Sequence, residues 1–231
     1  MGKNKLARFE ETLHFENVFQ PSPQKMFEES FEMKGKWNSE YFKNNNPIIL
    51  ELGCGRGEYT IGMAEKYPDK NFIGMDIKGA RIWRGSKTAF EKNMKNVAFI
   101  RNKIEFINSF FENNEVSEIW ITFPDPQLKK QKKRLTSSRF LSNYANLLKQ
   151  DGIIHLKTDS QTLHNYTLDL INLNKLDVLF ADNNIYKTES IEDILKIKTF
   201  YEEKFLEKGM PITYLKFKLN NIYNFLEPIK I

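Results

Sequence analysis

From Pro47 onward short apolar runs alternate with longer amphipathic stretches, and this alternation leaves the chain few folds to adopt. The strand-like runs are IILEL (48–52), FIGMDI (72–77), VAFIRN (97–102), EIWITF (118–123), GIIHLKTD (152–159), DVLFA (177–181) and ITYLKFKL (212–219). Helical patterns separate them at 57–67, 79–94, 103–112, 138–149, 160–173 and 199–208. The pattern predicts an α/β chain: a mostly parallel, seven-stranded sheet with helices on both faces. Right-handed crossovers then restrict the strand order further. The polar stretch 182–198 reads as a loop with room for a short helix.

Residues 1–46 read differently, as an N-terminal extension that is partly helical or flexible. They are polar, contain Pro21 and Pro23, and end in the turn-prone Asn44-Asn45-Asn46-Pro47. One helix is expected inside, at Gln24 to Lys36, with Met26, Phe27, Phe31 and Met33 as its apolar residues. Residues 47–231 form the expected folded domain. No apolar run approaches the roughly 20 residues that span a bilayer, and the N-terminus has no apolar h-region. A cytoplasmic protein with no membrane contact is the expectation. The single cysteine, Cys54, excludes an internal disulfide and a multi-cysteine zinc site. His14, His155 and His164 form no metal spacing with one another or with Cys54, so no metal is expected.

The basic charge is concentrated. Between Pro126 and Gln150 lie Lys129, Lys130, Lys132, Lys133, Arg134, Arg139 and Lys149, with no Asp or Glu. The whole chain is only +5, so the remainder is net negative. Such runs are commonly solvated surface. This one directly follows the stiff turn FPDP, and a basic patch beside a reactive loop points to a polyanionic substrate.

The strongest local motif is ELGCGRG, from Glu51 to Gly57, which closes a strand and opens a helix. Its glycines allow unusual φ and close approach of a ligand to the backbone. A dinucleotide fingerprint would need Gly at 58, which is Glu58. G-x-G-x-G preceded by an acid instead resembles the first motif of class I S-adenosylmethionine-dependent methyltransferases. That ligand has no pyrophosphate to seat on a helix N-terminus; it has an ammonium, which Glu51 could attract directly or through water. Asp76 ends the second strand, where an acid can bind both ribose hydroxyls. Asn102 ends the third, and its amide can pair with an adenine edge. Ligands of open α/β sheets bind at those carboxyl ends. Cys54 reads as a small residue in a tight turn, and no other cysteine exists to attack a pyrimidine ring.

Trp120 to Phe123 finish the fourth strand, and Pro124-Asp125-Pro126 form a turn at its end. With Gln127 next, the aromatic residue common in amino-group methyltransferases is missing, which argues against adenine-N6 chemistry. Together ELGCGRG, FPDP with its basic tail, HLKTD (155–159) and TFYEEKFLEKGMPITYLKF (199–217) resemble the bacterial tRNA (guanine-N7-)-methyltransferase family. The resemblance spans roughly Pro47 to Leu219. It departs at Gln127, where the family commonly has Trp, at Asn102, where Asp is common, and in a shorter basic tail.

The resemblance implies a Rossmann-like class I methyltransferase fold, S-adenosyl-L-methionine as cofactor, and tRNA as partner, methylated at guanosine 46 in the variable loop. It implies that Glu51, Gly53, Asp76, Asn102 and Asp125 line the cofactor site, and that Asp125 is catalytic. Lys129, Asp159 and the stretch Thr199, Tyr201, Glu202 would contact the guanosine or its tRNA, with Glu202 or Asp159 reading the base. Guanine N7 has a lone pair and no proton, so it needs positioning and compensation of charge, not a general base. Two other readings stay open: a methyltransferase acting on another RNA or a small molecule, and a non-catalytic RNA-binding protein.

Overall fold

The computed structural model describes residues 3–22, 24, 30–189, 191–219 and 224–229. The chain divides into two compact units, Met1–Glu112 and Asn113–Ile231.

The first unit holds four parallel strands: β1 (Val18–Phe19), β2 (Ile48–Leu52), β3 (Asn71–Asp76) and β4 (Val97–Arg101), in spatial order β1-β4-β3-β2. Every residue of β2 and β3 is buried, which is why those runs are apolar on both faces apart from Glu51, Asn71 and Asp76. Helices α2 (Glu58–Lys66) and α3 (Gly79–Glu91) are the crossovers between them. The registers Leu52↔Met75 and Asp76↔Arg101 bring the strands to one common carboxyl edge. Residues 53, 76 and 102 therefore share that edge.

The N-terminal residues are tied into this unit. Helix α1 (Lys3–Thr12) lays Glu11 against Trp83 and Lys87 of α3, both at 2.6 Å. Its Phe9 ring lies 4.5 Å from the Arg101 guanidinium. Trp37 is fully buried, donates from Nε1 to the Phe110 carbonyl at 3.0 Å, and packs among Phe19, Phe31, Tyr41 and Phe111. Residues 25–29 of the helix expected at 24–36 lie outside the described residues; its end, 32–36, is a run of turns leading into a π-helical segment, Trp37–Phe42. The helix expected at 103–112 is a shorter 3₁₀ segment, Ile104–Ser109, kinked at Phe106. The spacing of Ile104, Ile107 and Phe110 is strictly three, which suits three residues per turn.

The second unit holds β5 (Val116–Thr122), β6 (Leu148–Thr158), β7 (Val178–Asp182) and β8 (Thr213–Lys218), in order β5-β6-β8-β7. β5 and β6 are parallel; β8 runs antiparallel to both β6 and β7. Helices α4 (Ser138–Leu147), α5 (Gln161–Leu173) and α6 (Phe200–Glu207) connect them, with short 3₁₀ turns at Ile185–Lys187 and Asp193–Lys196. The described strands number eight, against the seven expected. The additional one is β1, whose two residues are too few to leave a periodic signal. Thr122↔Lys157 and Thr158↔Thr213 align the strand ends that precede Asp125 and Asp159.

Candidate active site

In the first unit the glycine loop is bolted to the neighbouring strand. Gly53 donates to the Met75 carbonyl at 2.8 Å, and Gly55 donates to Asp76 Oδ2 at 3.0 Å. Asp76 Oδ1 accepts the Lys78 amide at 2.8 Å. Gly53, Gly55 and Gly57 have φ of +74°, +56° and +72°, the left-handed region that favours glycine. They are not equivalent. A Cβ on Gly57 would stand 2.7 Å from the Phe99 ring, so Gly57 serves packing. A Cβ on Gly55 would meet only the Gly53 carbonyl, at 3.9 Å, so the loop is open there to a ligand.

Glu51 is buried behind this loop, 1% exposed. Its Oε2 accepts the Thr60 amide at 2.8 Å and the Thr60 hydroxyl. The carboxylate thus occupies the N-terminus of α2, the place a dinucleotide fold gives to pyrophosphate. The loop is built against a phosphate and toward a cationic or hydroxyl-bearing ligand. Asp76 is buried, and the half-buried Asn102 turns its Oδ1 to the Lys103 amide at 2.8 Å. An open glycine loop edged by carboxylate and amide acceptors fits an ammonium and ribose hydroxyls. Cys54 is buried, and burial pushes its thiol up, so it is no nucleophile.

In the second unit the Pro-Asp-Pro turn is flanked by two left-handed non-glycine residues, Phe123 at φ +47° and Gln127 at +48°. Each costs roughly 1–2 kcal/mol, strain that persists only where the surroundings enforce it. Phe123 donates its amide to the Lys157 carbonyl at 2.8 Å, and its ring stacks on Phe205. The exposed Asp125 accepts the Gln127 amide at 2.9 Å. Asp159, half-buried at the same edge, has its pKa raised from the ordinary aspartate value by desolvation, and among the described residues no cation pairs with it.

Several expected substrate contacts sit elsewhere than the sequence suggests. Glu202 is fully buried: its Oε1 lies 2.6 Å from Lys157 Nζ and accepts the Tyr186 hydroxyl at 2.8 Å. It also closes a capping box with Thr199, so both side chains are spent on starting α6. That leaves Tyr201, 43% exposed, as the outward member of the stretch. Lys157 also donates to the carbonyls of Leu195 and Ile197, at 2.8 and 3.1 Å. Burial pushes its amine down, and Glu202 opposes that shift. Lys129, Lys130, Lys132 and Lys133 are exposed; Arg134 is 7% exposed and does not belong to the solvated run. His155 is buried between the Tyr214 hydroxyl and Glu118, stacked on Trp120, which makes it a packing residue. Burial holds its pKa low.

Among the described residues no group of three His, Cys, Asp or Glu could hold a metal ion, and no helix is long and apolar enough to cross a membrane. The methyltransferase family model Methyltransf_4 matches residues 45–215. A tRNA (guanine-N(7)-)-methyltransferase of Christiangramia forsetii is 58% identical over 94% of this chain and 99% of its own. The enzyme of the same name from Bacteroides thetaiotaomicron is 51% identical over 95% and 87%. Among solved structures, the 16S rRNA methyltransferase KamB superposes with a TM-score of 0.62 at 11% identity, covering 79% of this chain and 92% of that one. An antibiotic-related methyltransferase gives 0.60 at 18%, covering 82% and 96%. At those identities the likeness is one of fold, the Rossmann-like α/β fold of class I methyltransferases. The chain belongs to the tRNA (guanine-N7-)-methyltransferase family.

Proposed function

We propose that this protein transfers a methyl group from S-adenosyl-L-methionine to N7 of a guanosine in tRNA. The observation that carries the reading is the glycine loop bolted to Asp76 over an α2 N-terminus already filled by Glu51, in a chain 58% identical to an enzyme of that name. The methyl donor supplies an electrophilic methyl group on a sulfonium centre. Gly53 and Gly55 offer backbone approach, Asp76 and Asn102 offer acceptors to the adenosyl part, and the buried Glu51 adds negative potential behind the loop. Glu51 acts through the loop, since its Oε2 is committed to Thr60.

Guanine N7 attacks without losing a proton, and the product ring carries positive charge. Asp125, exposed in a turn of enforced geometry, is assigned to the reacting end, where a fixed carboxylate offsets that charge. Asp159 is assigned to the guanine, because its carboxylate has no competing cation while Glu202 is consumed by Lys157, Tyr186 and Thr199. A carboxylate there can accept from N1–H and the 2-amino group together. Lys129 and Tyr201 are taken as tRNA contacts. The domain is taken as 47–231, with 1–46 as its docked extension, and the enzyme as cytoplasmic. The target position, guanosine 46 of the variable loop, rests on the family resemblance alone. Nucleoside analysis of tRNA incubated with protein and donor tests the reading: 7-methylguanosine should appear, and unmethylated tRNA would reject it.

A further inference from the structure

Arg134 ends the basic run, yet it is buried. Its Nε donates to the Pro126 carbonyl at 3.0 Å, and its guanidinium lies 4.2 Å from the centroid of the Tyr166 ring. The Tyr166 hydroxyl donates to Glu227 Oε1. Glu227 Oε2 accepts the Ser138 amide at 2.9 Å, at the start of α4. The neighbouring Pro228 carbonyl accepts Gln131 Nε2 at 2.8 Å, inside the basic run itself. Leu226 is fixed by two bonds to the Asn174 side chain, at 2.7 and 2.9 Å, and Phe225 is buried. Residues 224–229 therefore form a strap bonded to the basic run, to α4 and to α5.

Two hydrogen bonds and one cation–ring contact link Glu227 through Tyr166 and Arg134 to the carbonyl of Pro126, one residue from Asp125. The turn needs such a hold. Phe123 and Gln127 both sit in the left-handed region, and a bulky residue leaves that region when released. The Lys157 carbonyl and Phe205 hold the side of Phe123; on the opposite side Arg134 bonds the Pro126 carbonyl, beside the local bonds from the Gln127 amide to Asp125 and from the Lys130 amide to the Gln127 carbonyl.

We propose that Arg134 is a positioning residue, not a tRNA contact: braced by the C-terminal strap through Tyr166 and Glu227, it fixes the Pro124–Gln127 turn and so aims Asp125. Only Arg suits this post. Its planar fork can stack on a ring and donate in plane at once, which a lysine ammonium cannot.

The inference rests on Asp125 belonging to the reaction, so the test reads both turnover and the turn itself. In folded Arg134→Gln, kcat at saturating tRNA and donor should fall about ten- to a hundredfold, the scale of misplacing a reacting group. The KM for tRNA and its salt dependence should stay at wild-type values. Arg134→Lys should not restore kcat, whereas a phosphate contact would tolerate lysine. Tyr166→Phe keeps the ring but cuts the bond to Glu227; it should lower kcat to a smaller extent, and it decides the matter if the Arg134 variants do not fold. Amide exchange at Gln127 should accelerate in each variant, a readout that holds even if wild-type protein transfers no methyl group and the functional reading fails. A raised KM with a shallower salt slope, rescued by lysine, would overturn the proposal. So would wild-type kcat and unchanged Gln127 exchange in folded Arg134→Gln or Tyr166→Phe.

Discussion

Asp125 and Asp159 end neighbouring strands of one unit, yet their surroundings differ, and their substitutions should separate accordingly. Asp125 is exposed and held by a single backbone donor, so Asp125→Ala should abolish transfer while changing stability by about 1 kcal/mol or less. Wild-type turnover in the folded variant would remove Asp125 from the mechanism. Asp159 is half-buried with no cation beside it, and desolvation raises its pKa. A carboxyl raised above its unfolded value binds its proton more tightly in the native state, so native stability falls as pH rises through that range. Asp159→Asn removes this penalty. At neutral pH it should therefore melt higher than wild type while its kcat/KM for tRNA drops. Lower melting together with intact kcat/KM would contradict the assignment. The sequence makes Asp76, Asn102 and Asp125 legible because each follows an apolar run whose end can be read. It cannot distinguish Asp159 from Glu202, since what separates them is a buried lysine 45 residues before Glu202 in the chain.

At the scale of elements, the strands and most helices were readable because hydrophobic period and Gly/Pro boundaries agree. The exceptions have local causes. The segment 104–109 spaces its apolar residues by three and winds as a 3₁₀ helix; β1 is two residues long. The stretch before Pro47 looks dispensable by composition, yet Trp37 is its anchor. Trp37→Ala should cost about 3–5 kcal/mol, the usual range for emptying an aromatic core site. Urea unfolding measures it, and a loss below about 1 kcal/mol would mean the extension is merely laid on the surface. The buried Lys157–Glu202 pair joins β6 to the start of α6. Its net worth is small, but Lys157→Met alone leaves a buried carboxylate unpaired and should cost roughly 3–5 kcal/mol. Lys157→Met with Glu202→Gln should recover part of that loss. A double variant as unstable as the single one would show that the pair is not where the energy lies.

Across the whole molecule, the basic excess sits in one segment, and its exposed members, Lys129, Lys130, Lys132, Lys133, Arg139 and Lys149, are those that can meet a polyanion; Arg134 is not among them. If two or three of them neutralise phosphates, log affinity for tRNA against log salt should slope at about −1.4 to −2.7, from the single-strand and duplex coefficients. Replacing Lys130, Lys132 and Lys133 with Gln should flatten the slope and raise the KM for tRNA, with donor affinity untouched. An unaltered slope would make the run plain solvated surface. In the sequence Arg134 is indistinguishable from these lysines; its partners Tyr166 and Glu227 lie far along the chain, so its burial is a property of the fold and not of the motif. The central claim is that one ring atom, guanine N7, accepts the methyl group. Two tRNA transcripts, one normal and one built with 7-deazaguanosine, which has carbon at that atom, can be incubated with protein and radiolabelled donor. The account predicts label in the normal transcript, recovered as 7-methylguanosine, and none in the 7-deaza transcript. Equal label in both would contradict it.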